Sequence, residues 1–304
     1  MKIVIAGGTG FLGRPLCEGL VRDGHEVVVL TRSEHASVPA GVRAVAWDPK
    51  RAAAPWAGEI DGSAAVINLA GEPIADHRWT AAQKHRIEDS RVAATERIVQ
   101  AIASAEAPPA LLLNGSAVGF YGHCGDAVVT EETGAGHDFL AAVCRRWEAQ
   151  AVAASSSTTR VVCLRTGLVL SKRGGALPKL LPAFKLGVGG RLGSGKQYWP
   201  WIHHQDWVNL VRFIVATPGV VGPINATAPA PVTNAEFSGE LGRALGRPTF
   251  FPVPRLALVV LLGEMADAML LSGQRAVPAR AQQLGFTFAY PTLALALDAI
   301  LHHE

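Results

Sequence analysis

Apolar residues along the chain fall into two rhythms. Residues 2–6 (KIVIA) form a continuous apolar run of strand length, and 25–30 (HEVVVL) and 64–69 (AAVINL) repeat it. Runs of this kind are what strands covered on both faces look like. Between the first two runs, Phe11, Leu12, Leu16 and Leu20 recur at helical spacing over 11–22, and Gly24 stops the helix. A weaker strand is predicted at 43–47. Then come a long helix over 80–104 that ends before Pro108-Pro109, a strand at 110–113, a helix over 139–154 and a strand at 160–164. Strands separated by helices of this length predict an α/β fold, a Rossmann-type doubly wound parallel sheet with right-handed crossovers. After Thr166 glycine and proline become denser, and helices are expected at 206–216, 234–245 and 256–271. The expected organisation is a nucleotide-binding domain over 1–165 and a smaller C-terminal lobe over 166–304, with segments free to return to the main sheet.

Composition narrows the function classes. With 49% hydrophobic residues in 304, the chain has material for a sizeable core and is not disordered. The formal charge is +3, from 28 basic and 25 acidic residues, and the basic residues cluster only in pairs such as Arg145-Arg146. A nucleic-acid footprint is therefore not expected. The apolar run at 3–6 is too short for a secretion signal. Glu264 and Asp267 interrupt the greasy stretch 255–271, which falls short of the ~20 residues a membrane span needs. Cys17, Cys124, Cys144 and Cys163 show no paired spacing, which fits reduced thiols in a cytoplasmic protein.

The chemistry concentrates between the first strand and the first helix, where Gly7-Gly8-Thr9-Gly10-Phe11-Leu12-Gly13 reads GxxGxxG. Gly7 permits the tight turn, Gly10 lets a pyrophosphate approach the backbone, and Gly13 lets the helix pack on the strand. Thr9, Phe11 and Leu12 complete the expected loop, and the helix N-terminus offers N–H groups to phosphates. At the end of the second strand stand Thr31, Arg32 and Ser33. An NAD enzyme usually places an acid here; an arginine between hydroxyls suits the 2′-phosphate of NADP(H), with Glu34 as the one nearby acid. Leu69, Ala70 and Gly71, after Asn68, form the expected next wall of the cleft.

Together these features resemble the extended short-chain dehydrogenase/reductase superfamily, and most closely its atypical branch of nucleoside-diphosphate-sugar epimerase-like proteins with a C-terminal domain of unknown function. The resemblance runs through GGTGFLG (7–13), NLAGE (68–72), SAVGFYG (116–122), RTGLVL (165–170), LGSGKQYWPWIHHQD (192–206) and GFTFAYP (285–291). It implies nucleotide contacts from Arg91, in the SR pair at 90–91, and from Val169. It also implies a serine or threonine after the fifth strand and a YxxxK pair on the next helix, with the tyrosine as acid/base and the lysine lowering its pKa. Ser116 supplies the hydroxyl. Counting back from Glu148 puts the tyrosine and lysine positions at Leu140 and Cys144, and no YxxxK occurs elsewhere.

Replacements for that pair are few. Tyr121 either faces the nicotinamide or packs as a core aromatic. Cys144 is either a thiol acid or inert packing. His203 and His204 on an extended segment point to opposite faces, a poor metal geometry; Asp206 is expected to cap the following helix. Trp199, Trp201 and His203 are candidates to line a substrate pocket, and Arg78 and Lys84 either meet an anionic substrate or lie on a solvated helix face. Three functions compete: an NADP(H)-dependent oxidoreductase on a small molecule, with Ser116 polarising a carbonyl; a nucleotide-sugar epimerase or dehydratase; and a non-catalytic NADP(H)-binding sensor or scaffold. The partner expected is a small-molecule substrate, with a homodimer left open.

Overall fold

The computed structural model describes residues 1–33, 35–49 and 55–303. Seven strands form one parallel sheet: β1 (Lys2–Ala6), β2 (Glu26–Thr31), β3 (Val42–Ala46), β4 (Ala65–Asn68), β5 (Leu111–Ala117), β6 (Arg160–Thr166) and β7 (Gly222–Ala226). Their order is β7-β6-β5-β4-β1-β2-β3. Every neighbouring pair runs parallel, with Ile5 of β1 level with Val29 on one side and Ile67 on the other. The chain thus reverses its direction of travel across the sheet beside β1, which is where a doubly wound fold opens a ligand crevice.

Burial on both faces explains the continuous apolar runs. Ile3 and Ile5 of β1 pack with Leu16 and Leu20 of α1 (Gly13–Arg22) in one core. Val4 and Ala6, pointing the other way, pack with Ala94 and Ile98 of α2 (Ala81–Ala103) and Ala151 of α3 (Phe139–Val152). Each valine, leucine or isoleucine among them contributes roughly 1.5–3 kcal/mol on leaving water, and the alanines contribute less. Thr80 caps α2 by accepting from the Gln83 N–H, and Asp138 caps α3 by accepting from Ala141.

The residues after 166 share this framework. β7 pairs with β6, and α4 (His204–Ala216) lies on the same face as α1, where Gly19 leaves room for Val208 and Arg212. Arg212 forks the carboxylate of Asp23 there. A third core gathers Trp201, Phe237, Leu241 and Leu297. The single helix expected over 256–271 is instead Arg255–Leu262 followed by a wide turn at Ala266–Leu270, because Gly263 breaks it with φ +65°.

Two expectations at 203–206 need correction. Asp206 does not cap the helix. It lies fully buried in the first turn and accepts the N–H groups of Ala289 and Tyr290, each at 2.9 Å. The cap is His203, whose Nδ1 accepts from Gln205 N–H. His204 already belongs to the helix, so the two rings do not diverge: their centroids are 4.7 Å apart. His203 also stacks on Tyr290 at 3.7 Å.

Burial, reinforced by His204, pushes the pKa of His203 down to about 3 from 6.5. Below pH 6.5 the unfolded chain binds a proton that the folded chain refuses. The stability this neutral ring supplies is complete above that pH and is lost as pH falls toward about 3. His203→Asn keeps a capping acceptor and removes the titration. Urea midpoints should fall more steeply with decreasing pH for the wild type than for this variant; parallel declines would contradict the assignment.

Candidate dinucleotide site

The loop after β1 is held by close backbone contacts. Gly7 sits at φ +81°, and a Cβ there would lie 2.8 Å from the carbonyl carbon and oxygen of Leu69. Leu69 N–H donates to Ala6 O at 2.8 Å, so the loop and the turn after β4 are fastened together. A Cβ on Gly13 would stand 2.4 Å from Gly7 O, which is why α1 can begin directly against the turn. Gly10 differs. Its Cβ would meet only Gly7 O, at 3.3 Å, and Thr9 and Gly10 are exposed. The outer side of the turn is therefore open. No side chain caps α1 and no acid stands in its first turn, leaving N–H groups and the positive dipole end for an anion. A dinucleotide diphosphate fits this cradle.

A short strand closes over the loop. Leu168–Ser171 pairs with Trp201–His203 and with Gly174–Gly175. The Phe11 ring lies where a Cβ on Gly174 would be, 2.4 Å away, and Val169 O lies 2.9 Å from the Cβ position of Gly175. Val169 is buried in the same core that Phe11 and Leu12 pack against.

At the end of β2, Thr31 is half-buried while Arg32 and Ser33 are exposed. Arg14, from the first turn of α1, reaches this loop: Nη2 donates to Ser37 O at 2.8 Å and to Ser37 Oγ at 3.3 Å. Arg14 is thus fastened to the segment after β2, on which Arg32 stands exposed. Arg14 follows Gly13 directly, and that adjacency was the signal available in the sequence. Glu34 lies outside the described residues.

Beneath the third wall runs a buried polar network. Leu69 and Ala70 are half-buried and Gly71 is exposed. Asn68 donates to Asn114 Oδ1 at 2.7 Å and to Thr95 Oγ1 at 2.9 Å, and accepts from Ala70 N–H at 3.2 Å. No sequence signal marked Thr95 or Asn114. Arg91 turns inward, as its place beside Ile87 and Thr95 requires. It donates to Glu72 O and Ile87 O at 3.0 and 2.9 Å and lies 5.2 Å from the Trp147 ring. A Cβ on Gly71 would stand 3.0 Å from its Cζ. Burial pushes the pKa of this guanidinium down.

β5 runs further than the strand expected at 110–113 and includes Ser116, and the hydroxyls at its end and in the turn beyond are engaged. Ser116 Oγ donates to Glu148 Oε1 at 2.6 Å, and Arg165 forks that carboxylate with two bonds of 2.9 Å. Arg165 also donates to the Tyr121 hydroxyl at 3.0 Å and stacks on Phe120, with Cζ 3.5 Å from the ring centroid. Tyr121 donates to Asn225 Oδ1 at 2.7 Å, and Asn225 N–H donates to Glu131 at 2.9 Å. Ser116 and Tyr121 are both buried. A carbonyl contact from Ser116 requires its bond to Glu148 to be exchanged. Burial raises the Tyr121 pKa to about 12, the direction opposite to that of a base near neutrality. Leu140 is packed beside Trp79 and Phe139, and the buried Cys144 thiol is pushed up to about 11 by desolvation. Of the other candidates, Lys84 pairs with Glu264 at 2.5 Å and Arg78 donates to Val260 O. Among the described residues no group of side chains has the makings of a metal site, and no helix is long and apolar enough to cross a membrane.

Gly10→Val fills open space, so the protein should keep its urea midpoint and lose dinucleotide binding. Gly13→Val drives atoms into Gly7 and should cost roughly 1–3 kcal/mol or more of stability. A folded Gly10→Val protein that still binds a dinucleotide would contradict the loop assignment.

Known proteins share this arrangement. The model of the NAD dependent epimerase/dehydratase family matches residues 3–225, and that of a domain of unknown function, DUF1731, matches residues 253–300. The epimerase family protein Mb2239 of Mycobacterium bovis is 43% identical over 300 residues, spanning 97% of this chain and 96% of the relative. The crystal structure of the human epimerase family protein SDR39U1 (isoform 2) with NADPH has a TM-score of 0.89 at 33% identity, covering 99% of each chain. A nucleoside-diphosphate sugar epimerase from Corynebacterium glutamicum gives 0.80 at 34% identity, covering all of this chain and 59% of that one. With the glycine loop, the sheet order and the length of the match in agreement, the chain belongs to the NAD dependent epimerase/dehydratase family.

Proposed function

We propose that this protein is an NADP(H)-dependent oxidoreductase acting on a small molecule, and that it does not use the tyrosine–lysine acid/base pair of its wider superfamily. The observation that carries the reading is the glycine turn with its open outer side at Gly10, set beside Arg14 and Arg32. Guanidinium groups at the end of β2 recognise a 2′-phosphate through charge-assisted bonds; a ribose hydroxyl gains nothing comparable from them. The crystallisation of human SDR39U1 with NADPH supports the same choice. Gly7, Thr9, Gly10, Phe11, Leu12 and Gly13 hold the diphosphate, Thr31, Arg32 and Ser33 the adenosine ribose phosphate, and Leu69, Ala70 and Gly71 the adenosine side. Arg91 and Val169 back these walls.

The bound dinucleotide supplies hydride chemistry. The chain's own groups orient the reactants. Ser116 and Tyr121 shape the end of β5 and of the following turn, and a proton is exchanged with water or with the substrate itself. We place the substrate at the C-terminal ends of β5 and β6, where Gln274 reaches Gly122 O and Asn225 reaches Val277 O, so that the segment 273–277 lies beside the turn after β5. The four cysteines, none of them paired, suit a reducing compartment such as the cytoplasm. Epimerase chemistry is disfavoured because Leu140 and Cys144 carry no equivalent acid/base pair. A second reading, NADP(H) binding without turnover, is favoured by the engagement of both hydroxyls.

Arg32→Asp should lose roughly 1–3 kcal/mol of NADPH affinity and leave the urea midpoint unchanged. NADPH oxidation with a panel of aldehydes and ketones is the test of function. Turnover supports the oxidoreductase, and binding without turnover across the panel supports the second reading. Interconversion of UDP-sugars without net cofactor change would overturn both.

A further inference from the structure

Arg275 is set apart from the other arginines. Among the described residues, every other buried or half-buried arginine has a hydrogen-bond acceptor for its side chain. Arg275 is half-buried, its Nε is shut off from solvent, and that N–H has no acceptor. No carboxylate of the described residues lies within ion-pair distance. An aromatic face stands beside it: Cζ lies 5.2 Å from the centroid of Tyr198.

Its location ties it to the end of the sheet where the pocket is placed. The strand Arg275–Ala276 pairs in parallel with Val128–Val129, just beyond the turn that carries Tyr121. Gln274 Nε2 donates to Gly122 O at 2.6 Å, and Asn225 Nδ2, at the end of β7, donates to Val277 O at 2.9 Å. Gln274 thus faces the turn after Tyr121. On an extended strand the next side chain leaves from the opposite side, which brings Arg275 to Tyr198. The two backbones are pressed together as well, since a Cβ on Gly273 would be 1.9 Å from Tyr198 O. The guanidinium is therefore held in place before any ligand arrives.

A desolvated donor without an acceptor is costly unless something else satisfies it. A guanidinium whose planar fork is unused, backed by an aromatic ring, is matched by an oxyanion. We infer that Arg275 is the anion-binding residue of the substrate pocket, and that the substrate carries a carboxylate or phosphate group which this guanidinium receives. The inference rests on the proposed placement of the pocket, and it narrows the substrate class to anionic small molecules.

The test is the Arg275 Nε–H resonance of 15N-labelled protein, assigned by its absence from Arg275→Gln. Malonate and inorganic phosphate are titrated separately, with sodium chloride holding ionic strength constant. The resonance should move saturably with at least one of them, and the tighter of the two identifies the kind of anion. Arg275→Lys, which keeps the charge and loses the fork, should bind that anion roughly tenfold more weakly. NADPH affinity, measured by fluorescence, should stay within about twofold of wild type in both variants. No movement with either anion, or equal anion affinity in wild type, Arg275→Lys and Arg275→Gln, overturns the proposal. A wild type that binds NADPH and neither anion refutes the anion site alone. A wild type that binds no NADPH refutes the cofactor reading and leaves the anion titration interpretable.

Discussion

The fork between Arg165 and Glu148 decides what the rest of this site is able to do. Glu148 comes from α3 and Arg165 from β6, and both are buried. Two buried charges persist only where their remaining bonding capacity is filled, and removing one partner from such a pair costs roughly 3–5 kcal/mol. Here the filling groups are Ser116, Tyr121 and the backbone carbonyl of Glu131. Tyr121 passes the network on to Asn225 at the edge strand. Residues that in sequence look like reactive hydroxyls after the fifth strand are thereby drawn into the support of a helix, three strands and a turn. The mobile protons of this region are already placed.

The cofactor side obeys a different constraint, the close approach of backbones. Gly7 against Leu69 and Gly13 against Gly7 bring the ends of β1 and β4 and the start of α1 within contact distance. The one glycine of the three not pressed by neighbours, Gly10, faces outward. Close packing on two sides and open space on the third is what a diphosphate needs from a turn. The Leu168–Gly175 segment then leans on Phe11, so residues from beyond β6 complete a site begun at residue 7.

Much of this was legible in the sequence, for physical reasons. Residues 2–6 and 64–69 announced buried parallel strands because both faces of β1 and β4 are covered. Gly24 marked a helix end and takes a positive φ of +80°, whereas Thr80, expected only as the first residue of its helix, is the cap. Asn234–Leu245 coincides with the helix expected there, and the capping box of Thr233 and Glu236 fixes its start. Other features depend on distant partners and leave no local trace. Asp206 looked like a cap because short-range spacing cannot reveal Ala289 and Tyr290, more than eighty residues away. The helix expected through 263 failed because apolar periodicity outweighed a single glycine. Arg14 went unremarked although it follows the glycine loop directly, because only the folded chain brings Ser37 to it. Ser116 was recognisable as a hydroxyl after a strand, but its bond to Glu148 was not.

The proposed preference for NADP(H) rests on two arginines near an open glycine turn. The most direct measurement is a pair of calorimetric titrations of the purified wild-type protein, one with NADPH and one with NADH. The account predicts saturable, one-site binding of NADPH that is at least ~10-fold tighter than NADH, a difference of ~1.4 kcal/mol. Equal affinities, or a preference for NADH, would contradict it.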